Sequence, residues 1–196
     1  MSNHLLPTTT KRAFDAPLVI GVISDTHIYT GSRREIAPAL KRLFERAGVG
    51  LMVHLGDANS RSVLKEIAEI APLIAVVGNN DDEDLQYLLP QTTRFTVGDY
   101  SFAAIHGHSG RSARDVAIER WAGKVDCILF GHSHKPLIEK EQGSILFNPG
   151  SPTDRRWYAH FGVGIITVDK TGIHPDLVLF EDANHLDSVS FDTEGA

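Results

Sequence analysis

The order of apolar runs and amphipathic segments in the first half of the chain constrains the fold most strongly. Short apolar runs at Leu18–Ile23, Leu51–Leu55 and Leu73–Val77 contain too little polar alternation for strands that are half exposed to water. Apolar residues at helical spacing separate these runs, at Arg33–Ala47 and Arg61–Ile70. This alternating order predicts parallel strands joined by right-handed helical crossovers, as in an α/β fold.

Capping residues refine the helix boundaries. Either Asn59 or Ser60 is expected to cap the second helix, because both side chains can accept a hydrogen bond from a free N–H group of the first turn. A short third helix is predicted at Asp84–Leu88.

The second half of the chain is richer in strands. Turns at Gly98-Asp99 and Gln142-Gly143 predict two hairpins, and a helix is predicted at Ser112–Ala122. The predicted strands are Arg94–Val97, Tyr100–Ile105, Cys127–Phe130, Leu137–Glu139, Ile145–Phe147, Val163–Val168 and Leu177–Phe180. This mixture favours an α/β (α+β) fold in which two β-sheets pack together with helices outside.

The length of 196 residues predicts one domain, which we place at residues 17–181. Residues 1–16 lack periodicity and are expected to form a loose N-terminal arm. Residues 182–196 are polar and acidic and are expected to form a mobile tail.

Composition and charge exclude several classes of protein. The net charge of −6 argues against stable binding to nucleic acid, and the apolar runs are too short to span a membrane. A single cysteine excludes a disulfide framework and a cysteine zinc cluster, and is typical of a reducing compartment. Since the start of the chain lacks a basic region before its apolar stretch, we expect a cytoplasmic protein.

Polar residues able to bind a metal follow five of the apolar runs. In an open α/β sheet, ligands bind just beyond the carboxyl ends of the strands, so these five segments are expected to converge on one crevice. The segments are Ser24-Asp25-Thr26-His27, Gly56-Asp57, Gly78-Asn79-Asn80-Asp81, His106-Gly107-His108 and Gly131-His132-Ser133-His134.

The conjunction of these segments carries more information than any one of them. An Asp-x-His match is expected roughly 0.8 times by chance in a chain of this composition, so that motif alone indicates nothing. The patterns His-Gly-His, Gly-His-x-His and Gly-Asn-x-Asp are each expected only about 0.04 times, yet all three occur, each directly after a buried-type strand.

The residue types suit two divalent metal ions that share a bridging carboxylate. Asp and His bind Mn, Fe, Zn or Ni, and an Asn carbonyl is an acceptable hard ligand. If the other ligands are neutral, Asp25 and Asp57 only partly offset two dications, so the site stays positive and attracts an anionic phosphate ester. Two metal ions at such a site can bind a phosphoryl group and generate a hydroxide nucleophile near neutral pH.

At these motifs the sequence resembles the calcineurin-like metallophosphoesterases, and within them the small YfcE-like phosphodiesterases. The resemblance covers about residues 17–180, including a late turn at Asn148-Pro149-Gly150-Ser151. It implies two mixed β-sheets packed as a sandwich between helices, in four layers. It also implies a first metal held by Asp25, His27, Asp57 and His134, and a second held by Asn79, His106, His132 and the shared Asp57.

The function implied by the resemblance is hydrolysis of a small phosphate ester, most typically a phosphodiester, by a metal-bridging hydroxide. Manganese is the expected metal, with Fe, Ni, Zn and Mg as alternatives. Three other functions remain open, namely a phosphomonoesterase, a nucleotide pyrophosphohydrolase and a non-catalytic scaffold similar to the retromer subunit of this fold. Because the chain has little length for a specificity domain, a dimer or tetramer could complete the pocket.

One position departs from the pattern of the larger family members. They carry a His after the metal-binding Asn, and this His protonates the leaving group, whereas this chain has Asn80 there. His108 is therefore a candidate for the acid or for a phosphate contact, and a metal-bound water is the alternative.

Other polar residues receive individual interpretations. Asp81 is expected to cap a helix or to support a metal ligand, and His54 is expected to pack in the core. Arg155 and Arg156 could contact phosphate, although surface ion pairs are the favoured interpretation. The remaining candidates are Tyr29 beside the substrate, His160 at an oligomer contact or pocket rim, and His4, His174 and His185 as solvated side chains.

Overall fold

Two mixed β-sheets packed face to face form the centre of the fold in the computed structural model, which describes residues 6–191. The strands are β1 (Ala13–Phe14), β2 (Leu18–Ile23), β3 (Leu51–His54), β4 (Leu73–Ala75), β5 (Thr92–Val97), β6 (Tyr100–Ile105), β7 (Cys127–Phe130), β8 (Leu137–Glu141), β9 (Ser144–Asn148), β10 (Phe161–Asp169) and β11 (Gly172–Phe180). The helices are α1 (Pro38–Arg46), α2 (Arg61–Ala68), α3 (Glu83–Leu88) and α4 (Ala113–Trp121), and a 3-10 helix spans Ala183–Ser188.

The sheet topology confirms the predicted fold class. One sheet has the strand order β11-β10-β2-β3-β4 and the other has the order β1-β5-β6-β7-β9-β8. The neighbours β2, β3 and β4 are parallel, as are β6, β7 and β9, so each sheet has a parallel centre with antiparallel strands beside it. The carboxyl ends of these parallel strands are the places where the candidate metal-binding segments begin.

The core has three layers of apolar contacts, since each sheet is covered on both faces. Between the sheets, Val53 packs in the same cluster as Phe102 and Phe147. Met52, the neighbour of Val53 on β3, packs on the opposite face of the sheet in a cluster with residues of α1 and α2. The outer face of the second sheet packs against α4 through residues such as Phe130. Strands buried on both faces explain why the sequence shows continuous apolar runs rather than alternation.

The predicted start of α1 and the predicted side-chain cap of α2 are wrong, although α2 begins at Arg61 as predicted. Helix α1 begins at Pro38 rather than Arg33, because proline has no N–H to donate and its fixed φ suits the first turn. Ser60 does precede α2, but its hydroxyl donates to the carbonyl of Ile28 at 2.8 Å and makes no cap. The sequence could not reveal that long-range contact.

The predicted loose arm (1–16) and mobile tail (182–196) are described in part, and residues 6–16 and 182–191 make contacts with the rest of the fold. Strand β1 pairs with β5, and the N–H of Thr9 donates to the carbonyl of Leu73 at 2.7 Å. In the tail, Leu186 is buried beside α1, and Arg42 donates to Asp187 at 2.6 Å. His4 lies outside the described residues. Within residues 6–191, no helix is both long and apolar enough to cross a membrane.

Candidate metal centre

The loops that follow β2, β3, β4, β6 and β7 bring the seven predicted metal ligands together. Asp25, His27 and His134 form one group, here called the first group, and Asp57, His106 and His132 form the second group. Within each group the potential ligand atoms all lie within 4.8 Å of one another. Sequence positions more than a hundred residues apart therefore meet at one edge of the two sheets.

Asp57 lies between the two groups. Its Oδ2 atom is 3.4 Å from Nε2 of His106 and 3.7 Å from Nε2 of His27, which belongs to the first group. Asn79 completes the second group, since its Oδ1 atom is 3.2 Å from Nε2 of His106. Asp57 therefore lies close to histidines of both groups.

The carboxylate of Asp25 shows that the site suits a cation. Its Oδ2 atom accepts hydrogen bonds from Ser24 Oγ at 2.5 Å and from the backbone N–H of His132 at 2.9 Å. Its Oδ1 atom is buried without a hydrogen-bond partner and lies 3.4 Å from Nε2 of His134. A buried carboxylate oxygen without a donor is costly, and a divalent metal ion would satisfy it. Oxygen and imidazole donors are also the ligands that such ions accept.

Backbone carbonyl groups fix the orientation of two imidazoles. The Nδ1–H of His106 donates to the carbonyl of Leu55 at 2.7 Å, and the Nδ1–H of His134 donates to the carbonyl of Asp154. With Nδ1 donating to a carbonyl, the Nε2 atom of each ring points into the cluster. Outer contacts of this kind are typical of metal-binding histidines.

Burial keeps three of the histidines neutral. It lowers the pKa of His27 and of His132, and it lowers the pKa of His134 to about 4. Neutral imidazoles are the form that binds a metal, so these rings are ready to do so at neutral pH.

The carboxylates favour positive charge at the centre of the cluster. Burial opposes ionisation of Asp57, but the hydrogen bond and charge of His106 and the amides of Asn80 hold its pKa below the usual range. Burial likewise opposes protonation of His106, but Asp57 and Asp25 raise its pKa to about 9. Burial raises the pKa of Asp25 to about 6. The cluster thus stabilises a cation where the two groups meet.

Backbone strain is concentrated at the same residues. Left-handed backbone conformations cost non-glycine residues about 1–2 kcal/mol each and tend to cluster at functional sites. Five of the seven candidate ligands adopt them, with φ values of 55° (Asp25), 48° (His27), 56° (Asp57), 64° (His132) and 55° (His134).

Two glycines permit the close approach of the loops. A Cβ atom on Gly78 would lie 2.1 Å from Oδ1 of Asp57, and a Cβ atom on Gly131 would lie 2.1 Å from Oγ of Ser24. The glycines that precede Asn79 and His132 are therefore steric requirements of the site.

Further polar residues brace the ligand loops. Asp81 accepts hydrogen bonds from the backbone N–H groups of Asn59 and Gly78, each at 2.7 Å, and so ties two loops together. The alternative that Asp81 caps a helix is wrong, because Asp82 caps α3 by accepting from the N–H of Leu85.

The late turn at residues 148–151 also holds the ligand-bearing loops in place. Ser151 Oγ donates to the carbonyl of Asp25 at 2.8 Å, and Asn148 Nδ2 donates to the carbonyl of Gly131 at 3.0 Å. The turn therefore fixes the loops that carry the first group.

Asn80 holds the carboxylate of Asp57 through two hydrogen bonds, and its amide cannot act as a general acid. Its backbone N–H donates to Oδ1 of Asp57 at 2.8 Å, and its side-chain Nδ2 donates to Oδ2 at 2.7 Å. This pair of contacts explains why an amide suits the position where larger family members have His.

We expect Asn80→Ala to weaken metal affinity about tenfold, since outer contacts to metal ligands typically contribute 10–100-fold and the backbone donor remains. Metal titration by calorimetry measures the effect. Asn184→Ala, at an exposed position, is the control. Unchanged metal affinity in Asn80→Ala would contradict the positioning role.

A cleft of about 710 Å³ opens beside the metal centre. It is lined by His27, Tyr29, Gly31, Ser32, Arg33, Arg34, Asn59, Asn80, Asp154 and Arg156. Tyr29, which was predicted to lie beside the substrate, is among the residues that line this cleft. Sequence reasoning missed Arg33 and Arg34 because it assigned them to the surface of a helix that in fact begins at Pro38.

His108 lies outside the large cleft. It lines a separate cavity of about 150 Å³, and its ring centroid is 5.3 Å from that of His106. Its Nδ1 atom is buried without a hydrogen-bond partner.

The other predicted polar residues have structural or solvent contacts. His54 is buried in β3, where Thr26 contacts its Nε2 atom at 3.3 Å, as predicted for a core histidine. Arg155 donates to the carbonyl groups of Tyr158 and Ala159 and does not line the cleft. The remaining three histidines are His160, which is 3.6 Å from Glu181, and His174 and His185, which are exposed as predicted.

Comparisons with known proteins agree with this geometry. The chain is 35% identical over 150 residues to a probable metallophosphoesterase of Methanocaldococcus jannaschii, covering 74% of this chain and 73% of the relative. It is 29% identical over 143 residues to a phosphodiesterase of the same archaeon, covering 67% of this chain and 82% of the relative. Vps29 of Chaetomium thermophilum has the same fold, with a TM-score of 0.65, 22% identity and coverage of 83% of this chain and 98% of that one.

The family assignment follows from the sequence match together with the site. Residues 18–171 match the calcineurin-like phosphoesterase superfamily domain, and this segment contains every candidate ligand described above. The chain therefore belongs to the calcineurin-like phosphoesterase superfamily and is a metal-dependent phosphoester hydrolase.

Proposed function

We propose that this protein is a phosphodiesterase that hydrolyses small phosphodiesters with two divalent metal ions. The observation that carries the proposal is the position of Asp57 between two groups of metal-binding side chains. Manganese is the proposed metal, and the same donors accept Fe, Ni, Zn or Mg. A relative named phosphodiesterase supports the choice of a diester.

In this proposal, each ion would be held by its own set of side chains and one carboxylate would be shared. Asp25, His27 and His134 would hold one ion, and Asn79, His106 and His132 would hold the other, with Asp57 bound to both. Two divalent ions held by these residues would supply Lewis acidity, which would activate water and neutralise charge on the phosphoryl group.

The charge of the site favours an anionic ester. Two dications would exceed the charge of the two carboxylates, so the centre would remain positive within a protein of net charge −6. The left-handed backbone and the carbonyl contacts of the imidazoles hold the ligands in place before substrate binds, which lowers the cost of reorganisation during the reaction.

The completeness of the ligand set favours catalysis over a scaffold role. Each of the seven positions carries a side chain able to bind a metal, and the fold gathers all seven. The likeness to Vps29 concerns the fold and carries no activity with it.

The test is to remove metal with a chelator and to restore Mn, Mg, Ni or Zn in turn. Each preparation is assayed with bis(4-nitrophenyl) phosphate as the diester and 4-nitrophenyl phosphate as the monoester. We expect turnover of the diester to return with Mn and to exceed turnover of the monoester. Preferential turnover of the monoester would make the protein a phosphomonoesterase. No turnover of either ester, with two ions bound per chain, would favour the scaffold.

A further inference from the structure

The wall of the large cleft beside the metal centre is basic. Three guanidinium groups line it, from Arg33, Arg34 and Arg156, and the same cleft is bounded by His27 and Asn80 at the metal centre. A molecule bound at the metal ions through one phosphate would therefore extend along these arginines. We call the part of the wall formed by the three arginines the arginine wall.

The arginine wall carries an excess of positive charge. Arg34 Nη1 and Arg156 Nε lie 3.2 Å and 3.7 Å from the same atom, Oδ2 of Asp154. One carboxylate thus balances two guanidinium groups. Within residues 6–191, Arg33 makes no hydrogen bond or ion pair, so the lining retains two positive charges (3 − 1).

The loop that carries Arg156 is tied to the metal centre. The hydroxyl of Ser151 accepts from the N–H of Asp154 at 2.8 Å and donates to the carbonyl of Asp25. Thr153 Oγ1 donates to the carbonyl of Thr26 at 2.5 Å. These contacts hold the loop that carries Arg156 against the loop that carries Asp25. The fold therefore sets the distance between Arg156 and the candidate metal ligands.

We propose that the arginine wall binds a second anionic group of the substrate, so that the preferred substrates are phosphodiesters that carry a further phosphate. This inference rests on the proposed function, because it places the scissile phosphate at the metal centre. Guanidinium groups bind phosphate through paired hydrogen bonds, and two charges in excess match a phosphate dianion. A diester whose only negative charge is on the scissile phosphate would have no second anionic group for the arginine wall to bind.

Binding tests the proposal without depending on turnover. The ligands are thymidine 5′-monophosphate and thymidine 3′,5′-bisphosphate, which differ by one phosphate, titrated into the manganese-loaded protein by calorimetry. Since a hydrogen bond to a charged group contributes about 1.5–3 kcal/mol, we expect the bisphosphate to bind at least about tenfold more tightly. Arg33→Gln and Arg156→Gln should reduce this ratio to less than about threefold. Arg94→Gln, which removes a positive charge from an exposed residue outside the cleft, should leave the ratio unchanged.

The matching kinetic experiment separates failure of the inference from failure of the proposed function. The substrates are the 4-nitrophenyl ester of thymidine 5′-phosphate and its 3′-phosphorylated form. Turnover of both esters with equal kcat/KM, or a binding ratio near one in the natural protein, would overturn the role of the arginine wall alone. If neither ester is turned over, the proposed function fails, while the binding ratio still decides what the wall binds. A ratio that Arg33→Gln and Arg156→Gln leave unchanged would also overturn the inference.

Discussion

Asp57→Ala is expected to lose metal from both groups and to reduce kcat/KM about a thousandfold or more. The carboxylate lies between His27 and His106, at 3.7 Å and 3.4 Å, so in the proposed centre its removal would take a ligand from both ions at once. Metal ions contribute several kcal/mol to transition-state stabilisation, and each 1.36 kcal/mol is a tenfold change in rate. Substitution of any other single ligand would affect one ion directly.

Metal content by plasma emission spectrometry and rates with a nitrophenyl diester measure this effect. Asp57→Asn keeps the shape of the side chain and one oxygen, and we expect an intermediate loss of metal. Asp99→Ala, in the exposed hairpin turn between β5 and β6, is the matched control and should retain two ions per chain. Full activity of Asp57→Ala with both ions bound would show that Asp57 is not the bridging ligand.

His108→Ala is expected to reduce kcat/KM about a hundredfold, by a similar factor for esters with good and poor leaving groups. The ring of His108 lies beside that of His106 in the second group, with 5.3 Å between the ring centroids, and at this position it would reach a phosphoryl oxygen bound there. Burial, together with the charge of His106, lowers the pKa of His108, so the ring is neutral at neutral pH and donates through its single N–H. Positive charge from nearby metal ions acts in the same direction. Loss of one such donor typically costs about 10²–10³-fold in rate.

The choice of leaving group separates a phosphate contact from a general acid. Nitrophenolate departs without protonation, whereas an alkoxide requires an acid. A loss confined to alkyl esters would therefore identify His108 as the acid, and an unchanged rate with both would assign it a structural role. His108→Asn restores an N–H donor and should recover part of the activity with both esters. His174→Ala, at an exposed position on β11, is the control.

The convergence of the candidate metal ligands could be predicted from the sequence because they follow buried strands. The carboxyl ends of parallel strands meet at one edge of a sheet, so local motifs such as Gly56-Asp57 and Gly131-His132 already specify a shared location. Their grouping around Asp57 required knowledge of the family, since spacing along the chain does not show which loops are neighbours in space. The left-handed conformations of the ligands were equally invisible in the sequence.

The features that the sequence did not reveal depend on long-range contacts. The hydroxyl of Ser60 donates to Ile28, and Asp81 joins two loops, so neither side chain does what local capping rules favour. Helical spacing extended α1 back to Arg33 across Pro38, which concealed the arginines of the cleft. Leu186, Val189 and Phe191, apolar residues in an otherwise acidic tail, were the local signal that this segment packs on the core beside α1.

The most direct test of the account is anomalous diffraction from crystals of the manganese-loaded protein. We expect two anomalous peaks about 3.5–4 Å apart, one within the group of Asp25, His27 and His134 and one within the group of Asp57, His106 and His132. Both peaks should be within coordination distance of Asp57, and Asn79 should contact the second. A single peak, or two peaks that Asp57 does not join, would contradict the shared-carboxylate centre.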